Sequence, residues 1–161
     1  MSERLPEGTL TRAGAIELRT PRASDLAAVA AIEEASFGDP WSAKEFSSVL
    51  AVDHSIFLIA ESRGEIVGYV IAIAVLDEAE ILNVAVSPSR RGEGIGGDLL
   101  DAALKQVESR GAESLFLEVR VSNVAARALY QSRGFAEISK RKNYYRTPLE
   151  DALVMRRAAK R

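Results

Sequence analysis

Gly92, Gly94, Gly96 and Gly97 fall within six positions, directly after Arg90 and Arg91. An apolar run ends at Val86 just before them, and a helical repeat begins just after. Glycine inside a helix costs up to ~1 kcal/mol relative to alanine, so a cluster at a helix mouth needs a reason. Successive backbone N–H groups at a helix N-terminus form an anion site, and glycine lets a phosphate approach with no Cβ in the way. Arg91 adds positive charge at its edge. A second chemical feature is Glu118, an acid inside the apolar run Leu115 to Val121. Leu115, Leu117, Val119 and Val121 point one way; Phe116, Glu118 and Arg120 point the other. Glu118 either pairs with Arg120 on its own face or turns a carboxylate into a cleft.

Three readings fit the glycines. They are loop punctuation, a dinucleotide-binding turn, or a seat for the pyrophosphate of coenzyme A. Gly92 to Gly97 satisfies G-x-G-x-x-G, and Glu118 lies roughly twenty residues on, where a ribose-binding acid would stand. In that fold, however, the first glycine follows directly on the strand. Here Ser87 to Arg91, with Pro88, intervene, and too little chain remains for further parallel strands. The coenzyme A seat uses every feature of the stretch.

Composition narrows the chemistry. The 161 residues suffice for one domain with its own core, and 47% hydrophobic content marks a globular chain. There is no cysteine, which removes disulfides, thiolate catalysis and Cys-ligated zinc. The single histidine, His54, cannot build a metal site or a serine triad, so no metal is expected. A net charge of −2 does not point to nucleic acid. No apolar run reaches membrane-spanning length and the first residues lack a signal-like apolar core, so a cytoplasmic location without membrane contact is expected.

The positioning elements follow from periodicity. Residues 1–14 read as a flexible N-terminal arm and 15–161 as a single domain. Ile16 to Arg19 reads as a strand. Ser24 is placed to cap a helix reaching Phe37, with Leu26, Val29 and Ile32 on its apolar side. Ser42 and Glu45 form a capping box, and Trp41 with Phe46 a hydrophobic staple. Ser55–Glu61 and Glu65–Leu76 read as a hairpin, followed by a strand from Glu80 to Val86. Leu100, Ala103, Leu104 and Val107 mark an amphipathic helix ending at Gly111. After the strand at Leu115–Val121, Asn123 or Ser122 caps a helix that stops at Gly134. Phe135–Arg141 and Leu153–Arg156 read as late strands joined by a loop holding Asn143-Tyr144-Tyr145. The unit from Glu80 to Val121 should join parallel strands, giving an α/β (α+β) mixed sheet with helices on both faces.

Arg91-Gly92-Glu93-Gly94-Ile95-Gly96 resembles the R/Q-x-x-G-x-G/A acetyl-CoA signature of the GNAT N-acetyltransferases, and the order of elements is similar along nearly the whole chain. Pro40-Trp41-Ser42, Leu76 to Ala79, Leu117 to Asn123, Ala128-Leu129-Tyr130, Arg141 to Tyr145 and Glu150-Asp151-Ala152 narrow the resemblance to the RimI-type ribosomal-protein-alanine N-acetyltransferases. Two departures stand out: the longer N-terminal arm, and Arg146 where a proline often follows the two tyrosines.

The resemblance implies a GNAT fold, acetyl-CoA as co-substrate, and the N-terminal α-amine of a ribosomal protein as acceptor. A small-molecule amine as acceptor, or a non-catalytic acyl-CoA-binding module, are the alternatives. It implies Glu118 as general base, with Glu80 competing, and Tyr130 as general acid beside the sulfur. The coenzyme would meet Val84, Ala85 and Val86 through backbone where two parallel strands splay. It would also meet Arg91, Gly92, Glu93, Gly94, Ile95, Gly96, Gly97 and Asn123, the last otherwise an ordinary N-cap. Tyr144 and Tyr145 would wall the acceptor slot, within a basic segment from Lys140 to Arg146 that otherwise reads as solvated surface. Trp41 would join that wall if it is more than a staple.

Overall fold

The computed structural model describes residues 9–10 and 16–160. The elements in chain order are β1 (Thr9–Leu10), β2 (Ile16–Arg19), α1 (Leu26–Ser36), α2 (Ala43–Leu50), β3 (Ser55–Ser62), β4 (Glu65–Val75), β5 (Glu78–Val86), α3 (Ile95–Ser109), β6 (Ser114–Arg120), α4 (Val124–Ser132), β7 (Ala136–Arg146) and β8 (Leu149–Ala158). The strands form one sheet in the order β1-β2-β3-β4-β5-β6-β8-β7. Among the described residues, only β5 and β6 pair in parallel, connected through α3. Of the arm expected over 1–14, Thr9–Leu10 pairs antiparallel with Leu18 and Glu17, and the rest lies outside the described residues.

The alternation of β3 divides the core in two. Ile56, Leu58 and Ala60 face a cluster shared with Leu99, Leu100, Ala103 and Val107 of α3. Phe57 and Ile59 face the opposite cluster, with Leu26, Val29 and Ile32 of α1 and Phe46 of α2. Helices therefore cover both faces, as a sheet with two apolar sides demands. Each fully buried Leu, Ile or Val contributes about 1.5–3 kcal/mol of transfer free energy.

The Ser42–Glu45 capping box is present, with Glu45 N donating to Ser42 Oγ at 3.2 Å. Two local expectations are corrected. Ser24 does not cap α1. A 3-10 turn over Ala23–Asp25 leads into the helix, and Asp25 accepts from Arg22 N at 2.7 Å while paired with the buried Arg19 at 2.8 Å. Asn143, Tyr144 and Tyr145 lie inside β7 rather than in a loop. The β7–β8 register shifts between Arg141 and Tyr145, Asn143 has φ +52, and its N–H donates to Asp151 Oδ1 at 2.8 Å. This is an edge strand exposed along almost its whole length, so no apolar alternation betrays it. The link to β8 is only the tight turn at Thr147-Pro148.

Candidate active site

Parallel pairing of β5 and β6 runs from Glu78 opposite Ser114 to Ile81 opposite Leu117, and ends there. At that place the register of β5 against β4 shifts, with Ala72 opposite Ile81 and Ile71 opposite Asn83. Leu82 is the extra residue. A bulge bends its strand and increases local twist, so β5 turns away from β6 where the bulge sits. Beyond the divergence a cleft of about 510 Å³ opens. Leu82 to Val84 line one side and Glu118 to Arg120 the other. The α1–α2 connection, α4 and the β7–β8 hairpin form its remaining walls.

The glycine run lies beyond the C-terminal end of β5. Gly92 and Gly94 have φ of +83 and +84, the left-handed region that glycine enters without penalty. Gly94 is the N-cap of α3, and no side chain caps this end. The first N–H groups of a helix have no partner within it, so the α3 mouth has the form of an anion seat. Ile95 is buried in the core, leaving backbone as its contribution to that seat. A Cβ on Gly96 would meet Val86 Cγ2 at 3.5 Å, and one on Gly97 would meet Arg133 Nη2 at 2.4 Å. Arg91 Nε donates to the Val86 carbonyl at 3.1 Å, and its Nη2 to Ser36 Oγ at 3.1 Å. The guanidinium thus ties α1 to the end of β5. Glu93 is turned toward Arg90, 2.9 Å away at the surface. Val84 lines the cleft, whereas the Ala85 side chain is buried on the face shared with Tyr69.

Glu118 does face the cleft, and its cationic partner is not Arg120. Arg141 of β7 donates from Nη1 to Glu118 Oε1 at 2.8 Å and stacks over Tyr144, 4.7 Å from the ring centroid. Arg120 instead pairs with Glu150. The other carboxylate oxygen of Glu118, Oε2, is buried and makes no hydrogen bond among the described residues. Glu80 lines the same cleft. Its carboxyl is raised above the usual range, first by desolvation and then by the charge of Glu118.

Tyr130, on α4, also lines the cleft and packs edge-on against Phe135, with centroids 6.0 Å apart. Burial pushes its phenol upward, with a smaller push from Tyr145. Tyr144 and Tyr145 lie at the mouth with rings 5.1 Å apart. Burial, then the Glu118 charge, pushes Tyr145 up to about 12. Asn123 caps α4, with Oδ1 accepting from Ala126 N at 3.1 Å, and also lines the cleft. The Trp41 ring lies 5.5 Å from that of Phe46, and the residue also lines the cleft.

Sequence reasoning missed Glu33. This α1 acid is 2% exposed. Its Oε1 accepts from Tyr69 Oη and from Asn83 Nδ2 at 3.1 Å, and its Oε2 accepts from Trp41 N at 2.9 Å. It therefore joins the α1–α2 connection to β4 and β5 beside the cleft. Desolvation raises its carboxyl, opposed by the bonds from Tyr69 and Trp41. The signal was available: Val29, Ile32 and Glu33 stand at i, i+3 and i+4, which puts the acid on the buried face. Arg141 and the Arg120–Glu150 pair were also missed. Among the described residues, no group of three or more His, Cys, Asp or Glu could hold a metal ion. No described helix is long and apolar enough to cross a membrane.

Comparison with known proteins agrees with this architecture. The [Ribosomal protein bS18]-alanine N-acetyltransferase of Escherichia coli (strain K12) is 41% identical over 134 residues, covering 82% of this chain and 90% of that protein. The protein of the same name from Haemophilus influenzae is 37% identical over 136 residues, 83% of this chain and 92% of the relative. The crystal structure of the ribosomal-protein-S18-alanine N-acetyltransferase from Escherichia coli superposes with a TM-score of 0.82 at 36% identity, covering 91% of this chain and 95% of that one. Ard1 from Thermoplasma volcanium superposes at 0.85 with 26% identity, over 91% and 99% of the two chains. The model of the Acetyltransferase (GNAT) family matches residues 26–135, and with relatives this similar over this much of its length, the chain belongs to that acetyltransferase family.

Proposed function

We propose that this chain acetylates the N-terminal α-amine of a protein with acetyl-CoA, and that the acceptor is a ribosomal protein beginning with alanine. Residues 15–161 would act as one catalytic domain, in the cytoplasm. The observation that carries the reading is the shared cleft: Glu118 and Tyr130 both line it, together with the splayed part of β5 from Leu82 to Val84 and the aromatic residues Trp41, Tyr144 and Tyr145. The acceptor class follows the names of relatives that match most of the chain.

Acetyl-CoA supplies a thioester carbonyl for direct attack by the amine. The open α3 mouth, with Gly92 to Gly97 and Arg91, suits its pyrophosphate, and the backbone of Val84 to Val86 suits its peptide-like arm. Glu118 would take the proton of the amine, while Arg141 holds its carboxylate in place. A terminal amine has a pKa of ~8 against ~10.4 for lysine, so deprotonation is about 3 kcal/mol easier at neutral pH. Tyr130, kept protonated by burial, would donate a hydrogen bond to the departing sulfur. Tyr144, Tyr145 and Trp41 would shape the slot for the first acceptor residues.

Thiol release from acetyl-CoA tests this with an alanine-first peptide, a polyamine and no amine in parallel. Release with the peptide supports the reading. Release with the polyamine alone makes the acceptor a small molecule. Tight coenzyme binding without release for any amine makes the chain a binding module.

A further inference from the structure

Arg120 stands two residues beyond Glu118 on the same face of β6, yet its guanidinium is spent elsewhere. Nη1 donates to the Pro148 carbonyl at 2.8 Å and to Glu150 Oε1 at 3.3 Å. Nη2 donates to the Thr147 carbonyl at 3.1 Å. The same group lies over the Tyr145 ring, 4.3 Å from its centroid. Glu150 is held in turn by Ser122, through its N–H at 2.6 Å and its hydroxyl at 2.9 Å. One side chain, 17% exposed, thus fixes the tip of the β7–β8 hairpin and the aromatic ring beside it.

That tip and the α1–α2 connection both line the cleft. The two touch. A Cβ on Gly38 would lie 1.7 Å from the Thr147 carbonyl oxygen, the same oxygen that Arg120 holds. Backbone meets backbone there, so the width of the mouth depends on where the turn is held. Of the side chains that carry positive charge, only the planar fork of arginine can serve two carbonyls and a carboxylate at once while stacking on a ring. Lysine offers a point charge without that geometry.

We infer that Arg120 is a positioning residue that sets the size limit for the first acceptor residue, by clamping the Thr147-Pro148 turn and Tyr145 against the α1–α2 connection. This rests on the acceptor reading above. The clamp acts through the turn and the ring and takes no part in proton transfer.

Steady-state kinetics of Arg120→Ala and Arg120→Lys test it, with two peptides identical except for alanine or leucine at the first position. A misplaced wall weakens positioning and discrimination together. The expected result for Arg120→Ala is a KM for the alanine peptide raised about tenfold, and a preference for alanine over leucine reduced about tenfold. The KM for acetyl-CoA should stay within about twofold, because the α3 mouth is untouched. Arg120→Lys should show the same shift in preference to a lesser degree, and it decides the matter if the alanine variant does not fold. An unchanged preference in the folded variants, or acetyl-CoA KM rising in step with peptide KM, overturns the inference. Wild-type protein that ignores both peptides overturns the acceptor reading first and this inference with it. Wild-type protein that prefers alanine alongside variants of unchanged preference overturns this inference alone.

Discussion

Glu118 Oε1 lies 2.8 Å from Arg141 Nη1, while Glu118 Oε2 is buried with no hydrogen-bond partner among the described residues. The two oxygens of one carboxylate have therefore separate surroundings. One is anchored to the edge strand β7, and the other is buried. An anchored carboxylate suits a general base, because its geometry is fixed before the proton arrives. Glu80 shares the cleft but has no such anchor; burial and the neighbouring charge of Glu118 both favour its protonated form.

Changing Glu118 to Gln should lower kcat by on the order of 10²–10⁴ and leave acetyl-CoA binding intact. Changing Glu80 to Gln should cost less than about tenfold, because Glu80 lacks the ion pair that fixes the Glu118 carboxylate. Side-by-side turnover and coenzyme binding measure both. The reverse order of losses would transfer the role of base to Glu80.

Tyr130 titrates above its ordinary range because it is buried. It should stay protonated between about pH 7 and 9, where an exposed phenol of pKa ~10 would begin to ionise. Tyr130→Phe should therefore reduce kcat by about 10²-fold, the size of one lost transition-state hydrogen bond, by the same factor across that range. A variant whose pH–rate profile changes shape at its alkaline end would show that the phenol ionises during turnover.

Gly94 caps α3 in the left-handed region, at φ +84. Gly94→Ala should destabilise the fold by about 1–2 kcal/mol from backbone strain. It should also raise the KM for acetyl-CoA more than the KM for the acceptor, because the displaced N–H groups are those proposed to receive the pyrophosphate. Thermal denaturation and two-substrate kinetics separate the effects. Weakened acceptor binding with unchanged coenzyme binding would place the pyrophosphate elsewhere.

Glu33 has its folded-state pKa raised, chiefly by burial. The native state therefore binds this proton more tightly than the unfolded chain, and Glu33 loses stabilising influence as pH rises from the ordinary carboxylate range through the raised folded value. Glu33→Gln removes that dependence and replaces one of the two acceptor oxygens, which serve Trp41 N on one side and Tyr69 and Asn83 on the other, by an NH2 donor. Denaturant unfolding should show the variant weaker than wild type, with a gap that is larger at acidic pH and smaller at neutral pH. A gap that widens toward neutral pH would mean that the carboxylate is favoured by its surroundings.

Legibility in the sequence tracked the distance over which each interaction acts. The capping box of Ser42 and Glu45 spans one helical turn and reads directly from residue order. Burial of Leu115, Leu117 and Val119 follows from alternation within one strand. The partner of Glu118 did not follow, because Arg120 is nearer in sequence while Arg141 reaches it through the β8 strand between them. Tyr144 and Tyr145 read as loop because an exposed edge strand carries no apolar period. The splay of β5 from β6 depends on a one-residue bulge at Leu82, which leaves no local mark in an apolar run. Glu33 lay in helical phase with Val29 and Ile32 and was open to detection.

The most direct test is to locate the acetyl group on the product. An alanine-first peptide that also contains a lysine is incubated with acetyl-CoA and the protein, then sequenced by tandem mass spectrometry. Acetyl on the α-nitrogen of the alanine, with the lysine unmodified, is the expected result. Acetyl on the lysine alone, or on neither amine, would contradict a site built for protein N-termini.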